Sequence, residues 1–221
     1  MDQDSWKDHT LQNIIRSYDS LRVRLYSRAR LLLLRRRLLD EIAQYLPAAG
    51  EVLDVGCGYG LFSLYFAMAL PGIHMRGIDL APRRIEHARR AVRQLAVPDV
   101  EFEPADATTW QPRGGLRAAT MIDVLHHLPR SAVEGVIATL AGRLEPGCRL
   151  IIKDIEPAPW HKMACAWIVD RLAHPRSPLH YWPPCELRKL LESQGLCVYK
   201  HRMSDFWPCT QVLYVAVKPL S

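Results

Sequence analysis

The pattern of apolar and polar positions divides the chain into two parts. Over residues 11–46, apolar residues recur at steps of three and four, which is the spacing of an amphipathic helix. After Pro47 the pattern changes to short apolar runs that alternate with helical stretches. The sequence therefore predicts a helical N-terminal cap over residues 1–48 and an α/β domain over residues 49–221.

The elements predicted in the second part alternate in the order of a doubly wound fold. Strands are predicted at 51–55, 73–78, 100–102, 117–124, 148–155, 196–203 and 209–217, and helices at 61–70, 82–95, 131–143, 160–172 and 185–193. Ser131 and Glu134 form an S-x-x-E capping signature at the start of one of these helices. Strand and helix alternation favours a parallel sheet with right-handed crossovers. The last two strands are joined by a short connection, so we expect a seven-stranded, mostly parallel sheet with an antiparallel final pair.

Charge is concentrated in the helical part. The chain has 221 residues, of which 49% are hydrophobic and 24% charged, and this composition excludes a disordered or fibrous protein. The formal net charge is +6. Residues 16–37 contain eight arginines and one acid, a net charge of +7, so the remainder sums to −1. The basic character therefore belongs to one short segment, while the α/β part is nearly neutral.

Cysteine usage and hydropathy indicate an intracellular protein. The six cysteines are scattered, with no C-x-x-C pair and no Cys/His spacing suited to zinc. No apolar run approaches the ~18 to 20 residues that span a bilayer, and no secretory leader pattern follows the first residue. We expect reduced thiols, no metal site and a cytoplasmic location, with association at the inner face of the membrane left open.

A glycine-rich loop is the strongest chemical signal. The segment VLDVGCGYG, residues 52–60, places Gly56, Gly58 and Gly60 between an apolar strand and a helix. Glycines there allow a ligand to approach the backbone, and the helix N-terminus offers free N–H groups. The spacing is G-x-G-x-G rather than the G-x-G-x-x-G of dinucleotide-binding folds. Asp54 precedes the first glycine by two residues.

Two acids follow the next two predicted strands. Asp79 ends the second strand, where a carboxylate can accept hydrogen bonds from both hydroxyls of a ribose. Asp106 follows the third strand and is placed to accept from an adenine amino group. With the glycine loop and the segment MIDVLHHL, residues 121–128, these motifs resemble the class I S-adenosylmethionine-dependent methyltransferases, in the same order, from about residue 51 onward. A dinucleotide-dependent oxidoreductase is the main rival, but its third glycine would come one residue later and no Tyr-x-x-x-Lys pair is evident.

The resemblance implies S-adenosylmethionine as the cofactor. Asp54 and the loop would hold its methionine part, Asp79 the ribose and Asp106 the adenine, and the cationic sulfonium explains why carboxylates populate the site. The implied cofactor-binding residues are Asp54, Gly56, Cys57, Gly58, Gly60, Asp79, Leu80, Asp106, Ala107 and Asp123.

Two histidines are candidates for acid–base chemistry. Transfer to a phenol or an alcohol requires removal of a proton, and His126 and His127 follow the fourth strand, at the edge of the sheet where ligands bind in this architecture. Either could be the general base. The alternative is that the pair only shapes the pocket or hydrogen-bonds the backbone.

The segment after the fifth strand is expected to select the acceptor. Trp160 and Trp167 share a helical face and are candidates for a pocket wall, with His180 or Tyr181 as a polar contact, although an apolar face of this kind is equally typical of core. This segment more loosely resembles O-methyltransferases of aryl-polyene and polyketide pathways. That resemblance implies a hydroxyaryl acceptor, free or carrier-bound. The alternatives are C- or N-methylation of a quinone or lipid, and a cofactor-binding regulatory protein without transfer activity.

The arginine-rich helical segment allows three interpretations. It is a solvated cap, a surface for anionic lipid, or a docking site for an acidic carrier protein. Nucleic acid is disfavoured because no recognition module is visible and the arginines alternate with leucines rather than with stacking aromatics.

Overall fold

The computed structural model describes residues 3–155, 179–202 and 211–220. Its helices are α1 (Gln3–Ser17), α2 (Leu21–Ala43), α3 (Leu61–Ala69), α4 (Pro82–Leu95), α5 (Arg130–Arg143) and α6 (Pro184–Ser193). Its strands are β1 (Gly50–Val55), β2 (Ile73–Asp79), β3 (Val100–Pro104), β4 (Leu116–Ile122), β5 (Leu144–Ile155), β6 (Cys197–Arg202) and β7 (Gln211–Val217). The predicted helix at 160–172, with Trp160 and Trp167, lies outside the described residues.

The seven strands form one sheet in the order β3-β2-β1-β4-β5-β7-β6. β1 pairs with β2, β2 with β3 and β4 with β5 in parallel. β7 runs antiparallel to both β5 and β6. The predicted fold class is confirmed: an α/β, doubly wound, mostly parallel sheet whose last two strands are antiparallel neighbours.

The chain comprises two compact units, Met1–Trp110 and Gln111–Ser221. In the first unit, β2 lies between β1 and β3, and α1 packs against α3 and α4. In the second unit, β5 lies between β4 and β7 and is buried along its last six residues. A strand that is buried on both faces has a nearly continuous run of apolar residues in its sequence. For this reason the central strands could be predicted from the sequence.

The N-terminal segment forms two helices where the sequence predicted one helical stretch. The chain leaves the helical path between Ser17 and Leu21. Asp19, at the break, accepts hydrogen bonds from His87 Nδ1 at 2.8 Å and Arg90 Nη1 at 2.5 Å, both on α4. The break is therefore stabilised by residues about 70 positions further along the chain. The spacing of apolar residues within the N-terminal segment gives no information on such a contact.

Three predicted boundaries in the second unit shift for local reasons. β4 ends at Ile122 because Asp123 adopts a left-handed φ of 54°. β5 begins at Leu144, before the predicted start at residue 148, and Pro146 and Gly147 lie where the β4–β5 register shifts. The capping signature at Ser131 was misplaced, since α5 starts one residue earlier and has no side-chain cap.

None of the helices in the described ranges combines the length and the apolarity needed to cross a bilayer. Likewise, no group of three or more His, Cys, Asp or Glu side chains within those ranges is arranged to hold a metal ion.

Candidate active site

The three glycines of the loop after β1 all adopt left-handed backbone angles. Their φ values are 74°, 58° and 77° for Gly56, Gly58 and Gly60, a region that side chains other than glycine enter at a cost. A Cβ on Gly60 would lie 2.5 Å from the ring of Phe102, whereas a Cβ on Gly58 would have nothing within 4 Å. Gly60 is thus required for internal packing, and Gly58 presents open backbone to a ligand.

Asp79, at the end of β2, holds this loop in place. Its Oδ2 accepts a hydrogen bond from the Gly58 backbone N–H at 3.0 Å, and its Oδ1 accepts one from Ala81 at 2.8 Å. The side chain of Arg84 lies 3.8 Å away. A carboxylate has about four acceptor positions, so these bonds leave capacity for ribose hydroxyls. Asp79 therefore orders the glycine loop, and its contact with a ribose stays a prediction.

Asp54 is buried, with 2% of its surface exposed. Its Oδ2 accepts a hydrogen bond from the Ser63 hydroxyl at 2.5 Å. Sequence reasoning missed Ser63, although a single serine in the otherwise apolar helix LFSLYFAMA was a usable signal. The bond joins the end of β1 to α3 behind the glycine loop.

The remaining predicted cofactor residues of the first unit lie at the ends of β2 and β3. Leu80 follows Asp79 and is 72% exposed, so it offers an apolar surface to an aromatic base. Asp106 is exposed, and its Oδ1 accepts hydrogen bonds from the backbone and hydroxyl of Thr108. These bonds lower the pKa of the Asp106 carboxyl, so it is ionised at neutral pH. Ala107, next to it, is half-buried.

Cys57 and Tyr59 occupy the positions between the glycines. Burial, reinforced by the charges of Asp54 and Asp79, raises the pKa of the Cys57 thiol, which is therefore protonated and not a nucleophile. The Tyr59 carbonyl accepts a hydrogen bond from the Tyr18 hydroxyl at 3.0 Å. This contact ties the end of α1 to the loop, and the helical pattern alone did not indicate it.

These residues fit S-adenosylmethionine. The open backbone of Gly58 leaves room for the ligand, the carboxylate of Asp79 has spare acceptor capacity for hydroxyls, and Leu80 exposes an apolar surface beside it. An acidic environment also suits a cationic sulfonium better than a phosphate.

In the second unit, two pairs join the end of β5 to the segment after β4. Lys153, 1% exposed, forms an ion pair with Asp123, whose backbone N–H donates to the Lys153 carbonyl at 2.9 Å. Asp154 accepts a hydrogen bond from His126 Nδ1 at 2.5 Å. Lys153 and Asp154 are both buried, and each holds a residue beyond β4. Asp123 is thereby fixed in its left-handed conformation.

The two predicted bases differ in exposure. His126 is fully buried, whereas His127 is half-buried. Their ring centroids lie 4.2 Å apart. The ring of Tyr181 stacks on His126 at 5.6 Å, and the His180 backbone N–H donates to the His126 carbonyl at 2.8 Å. The structure thus brings both predicted bases together with the predicted acceptor contacts His180 and Tyr181.

The sheet order, the glycine loop after β1 and the acids after β2 and β3 define a class I S-adenosylmethionine-dependent methyltransferase. Comparison with known proteins gives the family: the methyltransferase domain family matches residues 26–201, and the chain belongs to it. Its cofactor is S-adenosylmethionine.

Similar proteins of known name include ubiquinone biosynthesis O-methyltransferases. The protein from Xanthomonas axonopodis pv. citri (strain 306) is 30% identical over 166 residues, which are 72% of this chain and 68% of that protein. The protein from Xylella fastidiosa (strain 9a5c) is 34% identical over 119 residues, 53% of this chain and 47% of that protein. The chain therefore spans about two thirds of the first relative and about half of the second.

Solved structures share the fold. The magnesium protoporphyrin IX methyltransferase from Synechocystis PCC 6803, with bound SAH, has a TM-score of 0.66 at 20% identity, covering 98% of this chain and 97% of that one. An O-methyltransferase family protein from Burkholderia thailandensis has a TM-score of 0.71 at 18% identity, covering 93% of this chain and 62% of that one.

Proposed function

We propose that this methyltransferase transfers a methyl group to a hydroxyl oxygen of a phenolic or lipid-like small molecule, free or carrier-bound. The observation that carries the proposal is the half-buried His127 ring, which lies against the buried His126–Asp154 pair after β4. The relatives named ubiquinone biosynthesis O-methyltransferase support an oxygen acceptor.

S-adenosylmethionine supplies an electrophilic methyl group on a sulfonium. An acceptor hydroxyl must lose its proton as it is methylated, and an imidazole titrates near neutral pH, which suits a general base. His126 exposes none of its surface. His127 is the member of the pair with accessible surface after β4, so we assign it the role of base.

Asp154 and His126 are positioning residues in this proposal. The hydrogen bond from His126 Nδ1 to Asp154 fixes the orientation of the His126 ring, which in turn packs against His127. The aromatic ring of Tyr181 covers another part of His126. In this arrangement the acceptor binds next to His127 and contacts the segment that contains His180 and Tyr181. We further propose, from the sequence alone, that Trp160 and Trp167 contribute to the acceptor pocket.

The test compares His127→Gln with His126→Gln. With a catechol-type acceptor, His127→Gln should lower kcat by roughly 10²- to 10⁴-fold and remove the rise of kcat with pH, while calorimetry shows unchanged S-adenosylmethionine affinity. His126→Gln should lower kcat less but retain the pH dependence, because the base is still present.

Unchanged kcat and an unchanged pH profile in His127→Gln would refute the base assignment. Turnover of an amine or carbon acceptor in preference to the phenol would replace O-methylation by the N- or C-methylation alternative. Tight cofactor binding with no turnover of any of these acceptors would favour a regulatory protein.

A further inference from the structure

The outer face of α2 carries an apolar stripe. Leu21, Leu25 and Leu32 are 66%, 54% and 81% exposed. Steps of four and seven residues return to the same side of a helix, so the three side chains form one line. The same helix also buries Val23, Leu38, Leu39 and Ile42. Leu39 lies one step of seven beyond Leu32, so the line continues to Leu39 but is covered there, and its exposed part ends at Leu32. The core of the first unit therefore accounts for the buried set and not for the three exposed leucines.

Exposed arginines border this stripe. Arg16 on α1 and Arg22 and Arg28 on α2 have exposed side chains, and none of the three hydrogen-bonds or pairs with a carboxylate among the described residues. No acid occurs between Asp19 and Asp40. Several arginines elsewhere in the same unit instead pair with nearby acids, Arg76 with Glu51 and Arg84 with Asp79 among them.

Arg90 on α4 illustrates that contrast, since it pairs with both Asp19 and Glu86. Among the described side chains, no acid compensates the positive charge beside the leucine stripe, so this charge is available to an external anion.

A groove runs between α1 and α2. Its volume is about 690 Å³, and its lining includes the apolar side chains of Leu11, Ile15, Leu31 and Leu32 together with the guanidinium groups of Arg16 and Arg28. Leu32 and Arg28 belong both to the groove and to the outer face of α2. An apolar groove that carries two guanidinium groups suits a ligand with an aliphatic chain and an anionic head.

We propose that α1 and α2 form a docking surface for an anionic phospholipid bilayer. The three leucines enter the boundary between headgroups and acyl chains, and the arginines contact lipid phosphates. A bilayer offers apolar and anionic groups side by side along a whole helix, and that arrangement matches the leucine stripe and its arginine border. An acidic carrier protein would match the charge but leave the stripe and the groove unexplained.

The experiment is co-sedimentation of the full chain with vesicles. The vesicles are phosphatidylcholine alone or phosphatidylcholine with one third phosphatidylglycerol, at low and at high salt. The first test variant is Leu25→Glu/Leu32→Glu, with Leu220→Glu as its control, because Leu220 is also 81% exposed but lies far along the chain in the second unit.

The second test variant is Arg22→Glu/Arg28→Glu. Its control is the double variant Arg113→Glu/Arg143→Glu, which makes the same change in net charge at two exposed arginines of the second unit. Circular dichroism melting of every variant shows that a loss of binding is not a loss of folding.

We expect the wild type and both controls to sediment with the anionic vesicles at low salt and to be released at high salt. Removing one arginine contact should weaken binding about fivefold, so the double arginine variant should lose well over tenfold. The leucine variant should also lose binding, although its melting temperature should not fall.

Three results would overturn the proposal: absence of wild-type sedimentation at low salt, equal binding to both vesicle types, or equal binding by test and control variants. If the wild type does not bind vesicles but self-associates, and Leu25→Glu/Leu32→Glu abolishes this self-association, the stripe is an interface between two copies of the chain. Binding to an acidic carrier protein without binding to vesicles would assign the arginines to that partner instead.

Discussion

Replacing Gly60 by alanine should destabilise the protein much more than replacing Gly58. The two glycines share a left-handed φ, 77° and 58°. Their surroundings differ, because a Cβ at Gly60 would lie 2.5 Å from Cζ of Phe102 and 3.0 Å from Cβ of Ala88, whereas a Cβ at Gly58 would meet nothing within 4 Å. The pair therefore separates backbone strain from steric overlap.

The magnitude follows from these two contributions. A left-handed conformation costs a residue other than glycine about 1 to 2 kcal/mol. Forcing an extra methyl group into a packed site costs about 1 to 3 kcal/mol more. Gly58→Ala should thus lose about 1 to 2 kcal/mol of unfolding free energy, and Gly60→Ala about 2 to 5 kcal/mol.

The assay is urea denaturation followed by circular dichroism, in the absence of cofactor. Phe102→Leu serves as a second perturbation, because it removes the ring edge that the new methyl group would strike. In a double-mutant cycle, Gly60→Ala should lower the free energy of unfolding less in the Phe102→Leu background than in the wild type, by about 1 kcal/mol or more. Calorimetry on the more stable Gly58→Ala should show weakened S-adenosylmethionine binding, because its methyl group would stand in the open space beside the loop.

The reasoning would be refuted if Gly60→Ala and Gly58→Ala differed by less than about 0.5 kcal/mol, the usual scatter of such comparisons. Absence of coupling with Phe102→Leu would show that any excess cost comes from another source.

Three further outcomes are expected. Asp79→Asn should weaken S-adenosylmethionine binding about tenfold or more, because the carboxylate orders the loop through charge-assisted hydrogen bonds, and equal affinity in calorimetry would contradict this. Ser63→Ala should cost about 1 to 3 kcal/mol in urea denaturation, since buried Asp54 loses a hydrogen bond, and a neutral effect would show that this bond is dispensable. The hydrogen bond from Arg90 lowers the pKa of the Asp19 carboxyl. The stabilisation that the ionised Asp19 contributes is therefore present above the ordinary pKa of about 4 and is lost as the pH falls through the lower pKa of the folded state. In the variant Asp19→Asn, the free energy of unfolding should therefore fall less steeply as the pH is lowered.

The order of elements and the glycine loop were predictable because they depend on local properties. Apolar periodicity identified all seven strands, the four helices α3 to α6 and the helical N-terminal stretch, but not the break that divides this stretch into α1 and α2. Pro82 marked the first residue of α4, and Leu95 its last, as the sequence predicted. The acids Asp79 and Asp106 could be placed at strand ends for the same reason, since a strand ends where its apolar run ends.

Other features of the structure depend on contacts between residues that are far apart in the sequence. The chain breaks between α1 and α2 because Asp19 reaches α4. Nothing in the sequence distinguishes His126 from its neighbour, yet Asp154, 28 residues later, hydrogen-bonds to His126.

The sequence by itself therefore determined the class of fold, the cofactor loop and the location of the basic segment, because periodicity, turn residues and charge are properties of neighbouring positions. Only the tertiary structure decided which histidine retains accessible surface, why Gly60 cannot carry a side chain next to Phe102, and that the leucines at 21, 25 and 32 face outward. Burial and ion pairing depend on which surfaces meet, and the apolar pattern of a helix does not itself specify which of its apolar residues the core will cover.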